Sequence, residues 1–172
     1  MAAPAPSPSR PADRTINLTL DISAPADAVF GALIDLPGYN SWLPQSGVFK
    51  GTTEVSDTPL KTGSTYVEHS PSGTRFGEAE EVDFEGRHVV FHQPMKLRPF
   101  VLGIELDVTV DMRVTELEQD GVRSPRCRLD RQIRLGIPLP LRLVAGTVEK
   151  QFRDESWRTM QLLKEHLEAK QA

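Results

Sequence analysis

Residues Pro140–Lys170 read PLRLVAGTVEKQFRDESWRTMQLLKEHLEAK. Val144, Val148, Phe152, Met160, Leu163 and Leu167 recur there at steps of three and four, with Leu141 leading and Ser156 filling the gap. That spacing draws one apolar stripe at the helical period. Pro138 and Pro140 mark the start, because proline is tolerated in a first turn and excluded from helix interiors. About thirty residues rising ~1.5 Å each predict a rod of roughly 45 Å. Almost everything between Thr15 and Leu135 reads as strand. The pattern therefore predicts an antiparallel sheet wrapped around one long terminal helix.

Working back from that helix, Cys127, Leu129, Ile133 and Leu135 alternate with Arg126, Arg128, Asp130, Gln132 and Arg134. Before the Asp120-Gly121 turn, Ile104, Leu106, Val108, Val110, Met112 and Val114 alternate with Glu105, Asp107, Thr109, Asp111 and Arg113. Period-two alternation of this kind marks strands with one buried face. The acidic outer face of the first is expected to meet the basic outer face of the second across an antiparallel ladder. Pro94 and Pro99 predict a loop between Gln93 and Phe100. His88–Gln93 is a strand entered through a turn at Glu85-Gly86. Gly63–Ser70 and Thr74–Phe84 form a hairpin around Pro71-Ser72-Gly73. Val48–Val55 is a weaker strand. At the front, Ile16, Leu18, Leu20 and Ile22 alternate with Asn17, Thr19 and Asp21, giving the first strand. Ser23 with Pro25 starts a short helix carrying Val29, Phe30, Leu33 and Ile34, which ends before Pro37-Gly38. Tyr39–Leu43 is a second short helix. Strand, two short helices, six strands and a long helix is the expected order, an α+β chain.

The 172 residues are 38% apolar and 26% charged, with a net charge of −4, as in a soluble globular domain. That charge gives no electrostatic case for nucleic acid, and no segment has the length of a membrane span. Residues 1–13, MAAPAPSPSRPAD, hold four prolines and no continuous apolar core, so they read as a disordered lead-in to one domain over 14–170, with a cytoplasmic location. The single Cys127 excludes an internal disulfide and reads as a buried structural thiol.

The run Ser23-Ala24-Pro25-Ala26-Asp27-Ala28-Val29-Phe30, leading into Asp35-Leu36-Pro37-Gly38-Tyr39 and Trp42-Leu43-Pro44, resembles the START-like (SRPBCC) superfamily, most nearly its polyketide cyclase/dehydrase and lipid-transport branch. The resemblance extends over about residues 14–169 as element order. It implies a helix-grip fold: a seven-stranded antiparallel sheet curled around the C-terminal helix, two short helices closing one end, and an apolar cavity between sheet and helix. Lipid carriers, aromatic polyketide cyclases, plant hormone receptors and activators of the chaperone Hsp90 share that fold, so fold does not settle function.

Arg131 is the residue that stands out. The alternation that buries Cys127, Leu129, Ile133 and Leu135 turns Arg131 to the same inner face, where a charge needs a partner. A ligand carboxylate or enolate oxygen is one candidate, Glu155 another; a bulge near Pro125 would instead turn it out, toward Asp107 or Asp111. Tyr39 and Trp42 are either gates of the cavity or packing for the short helices. Phe76, Glu78, Glu80, Val82 and Phe84 share parity, which would put two carboxylates, Glu78 and Glu80, on an apolar inner face with Phe76; a shift at Gly77 would instead bury Ala79 and leave the glutamates in solvent. Tyr66 and His69 take opposite faces, so only one reaches the interior. The expected ligand-lining set is Arg131, Tyr66, Trp42, Tyr39, Phe76, Glu80, Phe91, Met112 and Phe152. No catalytic residue is assigned. No metal set, nucleophile signature or glycine-rich phosphate loop appears, so no metal or cofactor is expected. The expected function is binding of a hydrophobic small molecule such as a lipid, isoprenoid or polyketide. The alternatives are a cyclase or dehydratase acting in the same cavity and an Hsp90-activator-like co-chaperone. The expected partners are that ligand and, through Leu143 and Trp157, at most a weak homodimer; neither nucleic acid nor integral membrane association is expected.

Overall fold

A computed structural model describes residues 13–47, 49–99, 102–119 and 122–170. Strand β1 (Arg14–Ile22) leads into α1 (Ala26–Ile34) and α2 (Tyr39–Trp42). The strands β2 (Gly51–Thr53), β3 (Thr65–Ser70), β4 (Gly73–Asp83), β5 (His88–His92), β6 (Met95–Leu97), β7 (Glu105–Gln119) and β8 (Val122–Gly136) follow. A 3-10 turn (Leu139–Val144) then opens into α3 (Ala145–Ala169). All strand pairs are antiparallel, in the order β1-β8-β7-β5-β4-β3-β2, with β6 inserted between β4 and β7. Seven strands thus form the main path of the sheet, and the three-residue β6 beside it makes an eighth. The segment read as a proline-bounded loop holds β6, which pairs Arg75 with Met95 on one side and Leu106 with Met95 on the other. Prolines at 94 and 99 flank this strand without entering it, so its ladder loses no donor. The Asp120-Gly121 turn, Val48 and the lead-in residues 1–12 lie outside the described residues.

The inner face follows the alternation. Ile16 and Ile22 of β1, Leu106, Val108, Val110, Met112 and Val114 of β7, and Cys127, Leu129, Ile133 and Leu135 of β8 are all buried. Beneath them α3 buries Met160, Leu163 and Leu167, each burial stabilising by roughly 1.5–3 kcal/mol. Its C-terminal end is pinned to the close of β1: Lys164 Nζ donates to the Asp21 carbonyl (2.7 Å), and the Ser23 N–H donates to Glu168 Oε1 (2.7 Å). Ser23 therefore anchors α3, and Pro25 takes the N-cap position of α1. Val144, expected in the stripe, is exposed. It belongs to the 3-10 turn, whose three residues per turn carry it off the line that 3.6 per turn would draw.

Outer-face charges pair differently from the expected acidic-to-basic match. The register of β7 with β8 sets Asp111 opposite Gln132 and Arg128 opposite Thr115. Arg128 instead bonds Asp21 of β1 (2.8 Å), while Asp111 and Asp107 bond His88 (2.8 Å) and His92 (2.5 Å) of β5. At the far edge, Asn40 of α2 covers β2: its Nδ2 donates to the Thr52 carbonyl (3.1 Å), and the Thr52 N–H donates to Asn40 Oδ1 (3.0 Å).

Candidate functional site

The N-terminal half of α3 does not close onto the sheet. Between Val148, Phe152 and Ser156 of the helix and Phe91, Val108, Val110, Met112 and Ile133 of the sheet lies a cavity of about 200 Å³. Leu36, Tyr39, Leu43 and Phe49 line it as well, as do Ser72, Leu97 and Leu141. The division within α3 explains the space. After Ala145 at its start, its next buried residue is Ser156, while Val148 and Phe152 between them are only half-buried and Phe152 meets Arg75 as a cation–π pair (5.7 Å).

Several polar groups interrupt these apolar walls. Arg75 and Glu68, directly opposite across the β3–β4 hairpin, form an ion pair. Tyr66 is buried with its ring edge-on to Phe91 (5.6 Å), and its hydroxyl accepts a hydrogen bond from Gln93. Tyr39 donates its hydroxyl to the Leu33 carbonyl (2.9 Å). Burial pushes both phenols well above their ordinary pKa, so each stays a protonated donor. Arg131, between Met112 and Leu18 on the ladder, makes no hydrogen bond or ion pair with any described residue, and its Nε is fully enclosed. Burial depresses its pKa, and the nearby Tyr39 and Glu68 partly offset that. At the cavity rim Glu155 accepts from Ser46 (3.2 Å) and from Arg158 (2.8 Å), and Arg158 also reaches the Pro44 carbonyl (3.2 Å). This ties the loop after α2 to the middle of α3.

The chain superposes over nearly its whole length on several solved structures. A norcoclaurine synthase point mutant from Thalictrum flavum covers 92% of this chain and 96% of its own, at 14% identity and a TM-score of 0.65. A START superfamily protein from Mycobacterium smegmatis covers 90% and 97%, at 11% identity and a TM-score of 0.61. The fold is START-like, of the SRPBCC type. A hypothetical protein from Helicobacter pylori shares it, covering 91% and 89% at 13% identity with a TM-score of 0.69. No protein-family model and no curated protein matches the chain.

Within this START-like frame, Arg131, Tyr66, Tyr39, Phe91, Met112 and Phe152 all line the cavity. Trp42 does not: it stacks on His166 of α3 (5.9 Å, 27°) and leans on Tyr39 (5.0 Å), packing α2 onto the helix. Phe76 is turned outward and 46% exposed, with Lys96 over its ring (5.1 Å). Glu80 also lies outside the lining. The reason is the register of β4, where Arg75, Gly77 and Ala79 take the inner face and a bulge follows between Ala79 and Glu81. His69 faces out and bonds Thr53 (3.0 Å), leaving the interior to Tyr66. Glu155 lines the cavity but pairs with Arg158, not Arg131. The Glu68–Arg75 pair and Gln93 went unread in the sequence. A two-residue turn at Pro71-Ser72 was the available signal, since it sets Ser70 opposite Gly73 and hence Glu68 opposite Arg75.

Proposed function

We propose that this chain binds a hydrophobic small molecule, of lipid, isoprenoid or polyketide kind, between the sheet and the first half of α3. The observation that carries the reading is the cavity itself: about 200 Å³ of space lined largely by aliphatic and aromatic side chains. A single water needs roughly 10–15 Å³, and an apolar space of this size favours an apolar occupant. The START-like neighbours support it, one norcoclaurine synthase structure being a complex with dopamine and hydroxybenzaldehyde. A second reading, acid–base chemistry of cyclase or dehydratase type, draws on the inward Tyr66–Gln93 pair beside Arg131. Binding is preferred because both lining carboxylates, Glu68 and Glu155, are held in ion pairs, leaving no free base among the described cavity residues.

The test is titration with N-phenyl-1-naphthylamine, a neutral apolar dye that brightens out of water. Saturable binding to the wild type, abolished by the cavity-filling Val148→Trp, is the expected result. Absence of binding, or binding untouched in a folded Val148→Trp protein, refutes the reading.

A further inference from the structure

Two arginines and two carboxylates line the cavity, and one of those carboxylates is engaged by an arginine outside the lining. Arg75, Arg131, Glu68 and Glu155 all line it. Glu68 is taken by Arg75, and Glu155 by Arg158 and Ser46. Arg131 is left over. Its cross-strand neighbours Met112 and Leu18 offer no acceptor, and the aspartates of β7 lie on the opposite face with His88 and His92. An arginine does not give up its proton in a protein, so the charge persists in apolar surroundings. Leaving such a charge unmatched is costly unless an anion meets it.

A second donor opens on the same space. The Tyr66 oxygen accepts from Gln93, and no described residue accepts its O–H proton. Tyr39, by contrast, has spent its proton on the Leu33 carbonyl. One guanidinium with one phenol suits a planar carboxylate, which accepts through two oxygens.

We propose that Arg131 and Tyr66 form the seat for the carboxylate head of the ligand, whose apolar body lies along Phe91 and Phe152. This rests on the cavity being a hydrophobic binding site and adds the chemical class: an organic acid, not a neutral lipid or hydrocarbon.

Displacement of N-phenyl-1-naphthylamine by decanoic acid and by decan-1-ol, which share a chain and differ in the head, tests it at pH 8. Charge-assisted hydrogen bonds of this kind predict that the acid competes roughly 10–100 times better than the alcohol in the wild type. Arg131→Leu should remove that preference, each competitor being scored against that variant's own dye affinity, and Tyr66→Phe should narrow it. Equal competition by acid and alcohol, with the dye bound, overturns the carboxylate seat and leaves hydrophobic binding standing. No dye binding in the wild type removes both. If Arg131→Leu fails to fold, the wild type still decides: the carboxyl carbon of bound ¹³C-decanoic acid should titrate at a lower pH than the free acid. A higher titration point means a neutral acid in an apolar hole, and the proposal fails.

Discussion

Gly77→Ala tests the inner face of β4 directly. A methyl carbon built at Gly77 stands 2.2 Å from Cζ of Tyr66, 2.4 Å from Cε1 and 2.6 Å from Cε2. Those atoms belong to a ring, not to the end of a flexible chain. The ring is 2% exposed, packed edge-on to Phe91 and held at its hydroxyl by Gln93, so yielding toward the cavity would give up those contacts. Overpacking of this kind costs typically ~1–3 kcal/mol. Replacing a strand glycine by alanine otherwise gains about 0.5–1 kcal/mol of backbone entropy, so the two effects have opposite signs. The difference spans about 0–2.5 kcal/mol, and an approach of 2.2 Å to a packed ring places it in the upper part, a net loss of roughly 1–2.5 kcal/mol or about 2–10 °C in melting temperature for a chain of this size. Urea denaturation of the single and double variants separates the terms. In a Tyr66→Ala background the ring is gone, so Gly77→Ala should be neutral or stabilising, giving a coupling of about 1–3 kcal/mol. A Gly77→Ala protein as stable as wild type, or strict additivity in the cycle, would show that Tyr66 does not lie over Gly77.

Arg131→Leu should melt at or above the wild type in the absence of ligand, because it removes a partly buried cation whose enclosed Nε has no hydrogen-bond partner; a fall of several degrees would mean the guanidinium has a structural partner. The His88–Asp111 pair predicts a pH signature. The hydrogen bond to Asp111 raises the His88 pKa, so its stabilisation is full below about 6.5 and is lost as pH rises through the folded value. The same bond lowers the Asp111 pKa, so its share is present above about 3.9 and is lost as pH falls through the folded value. His88→Gln should therefore lower the melting temperature most near about pH 5.5 and progressively less toward pH 8; a pH-independent gap would refute this. Leu143 (99% exposed) and Trp157 (41%) offer apolar surface for self-association. Light scattering should show a wild-type dimer component that Trp157→Glu removes, and a monomer in both at high micromolar concentration means this surface joins nothing.

The architecture was legible because its two decisive patterns are long. Fifteen-residue strands at β7 and β8 and a 25-residue α3 repeat their period often enough to fix which face is buried. Arg131 could be expected inward for the same reason, by its parity with Cys127, Leu129, Ile133 and Leu135, and the register from Cys127 to Leu135 runs without the bulge that would have turned it out. Phe76 was misread because apolar character and inner face disagree on β4. There the inner positions Gly77 and Ala79 must be small to accommodate what crosses them, Tyr66's ring above all, while a large phenyl sits outside under a lysine. Strand β6 was hidden by its length of three residues, too short to show a period. The cavity's paired charges depend on a hairpin register that turns on whether the loop holds two residues or three.

The amide clasp between Asn40 and Thr52 bears on how this chain behaves in a crowd. A strand at the rim of a sheet presents main-chain donors and acceptors that a strand from another molecule can zip onto, seeding fibres. In β2, Gly51 and Thr53 flank the middle residue, Thr52, and both main-chain groups of Thr52 are already engaged by one side chain. A single asparagine on a four-residue helix thus acts as a stopper, leaving an incoming strand no free rung at that residue.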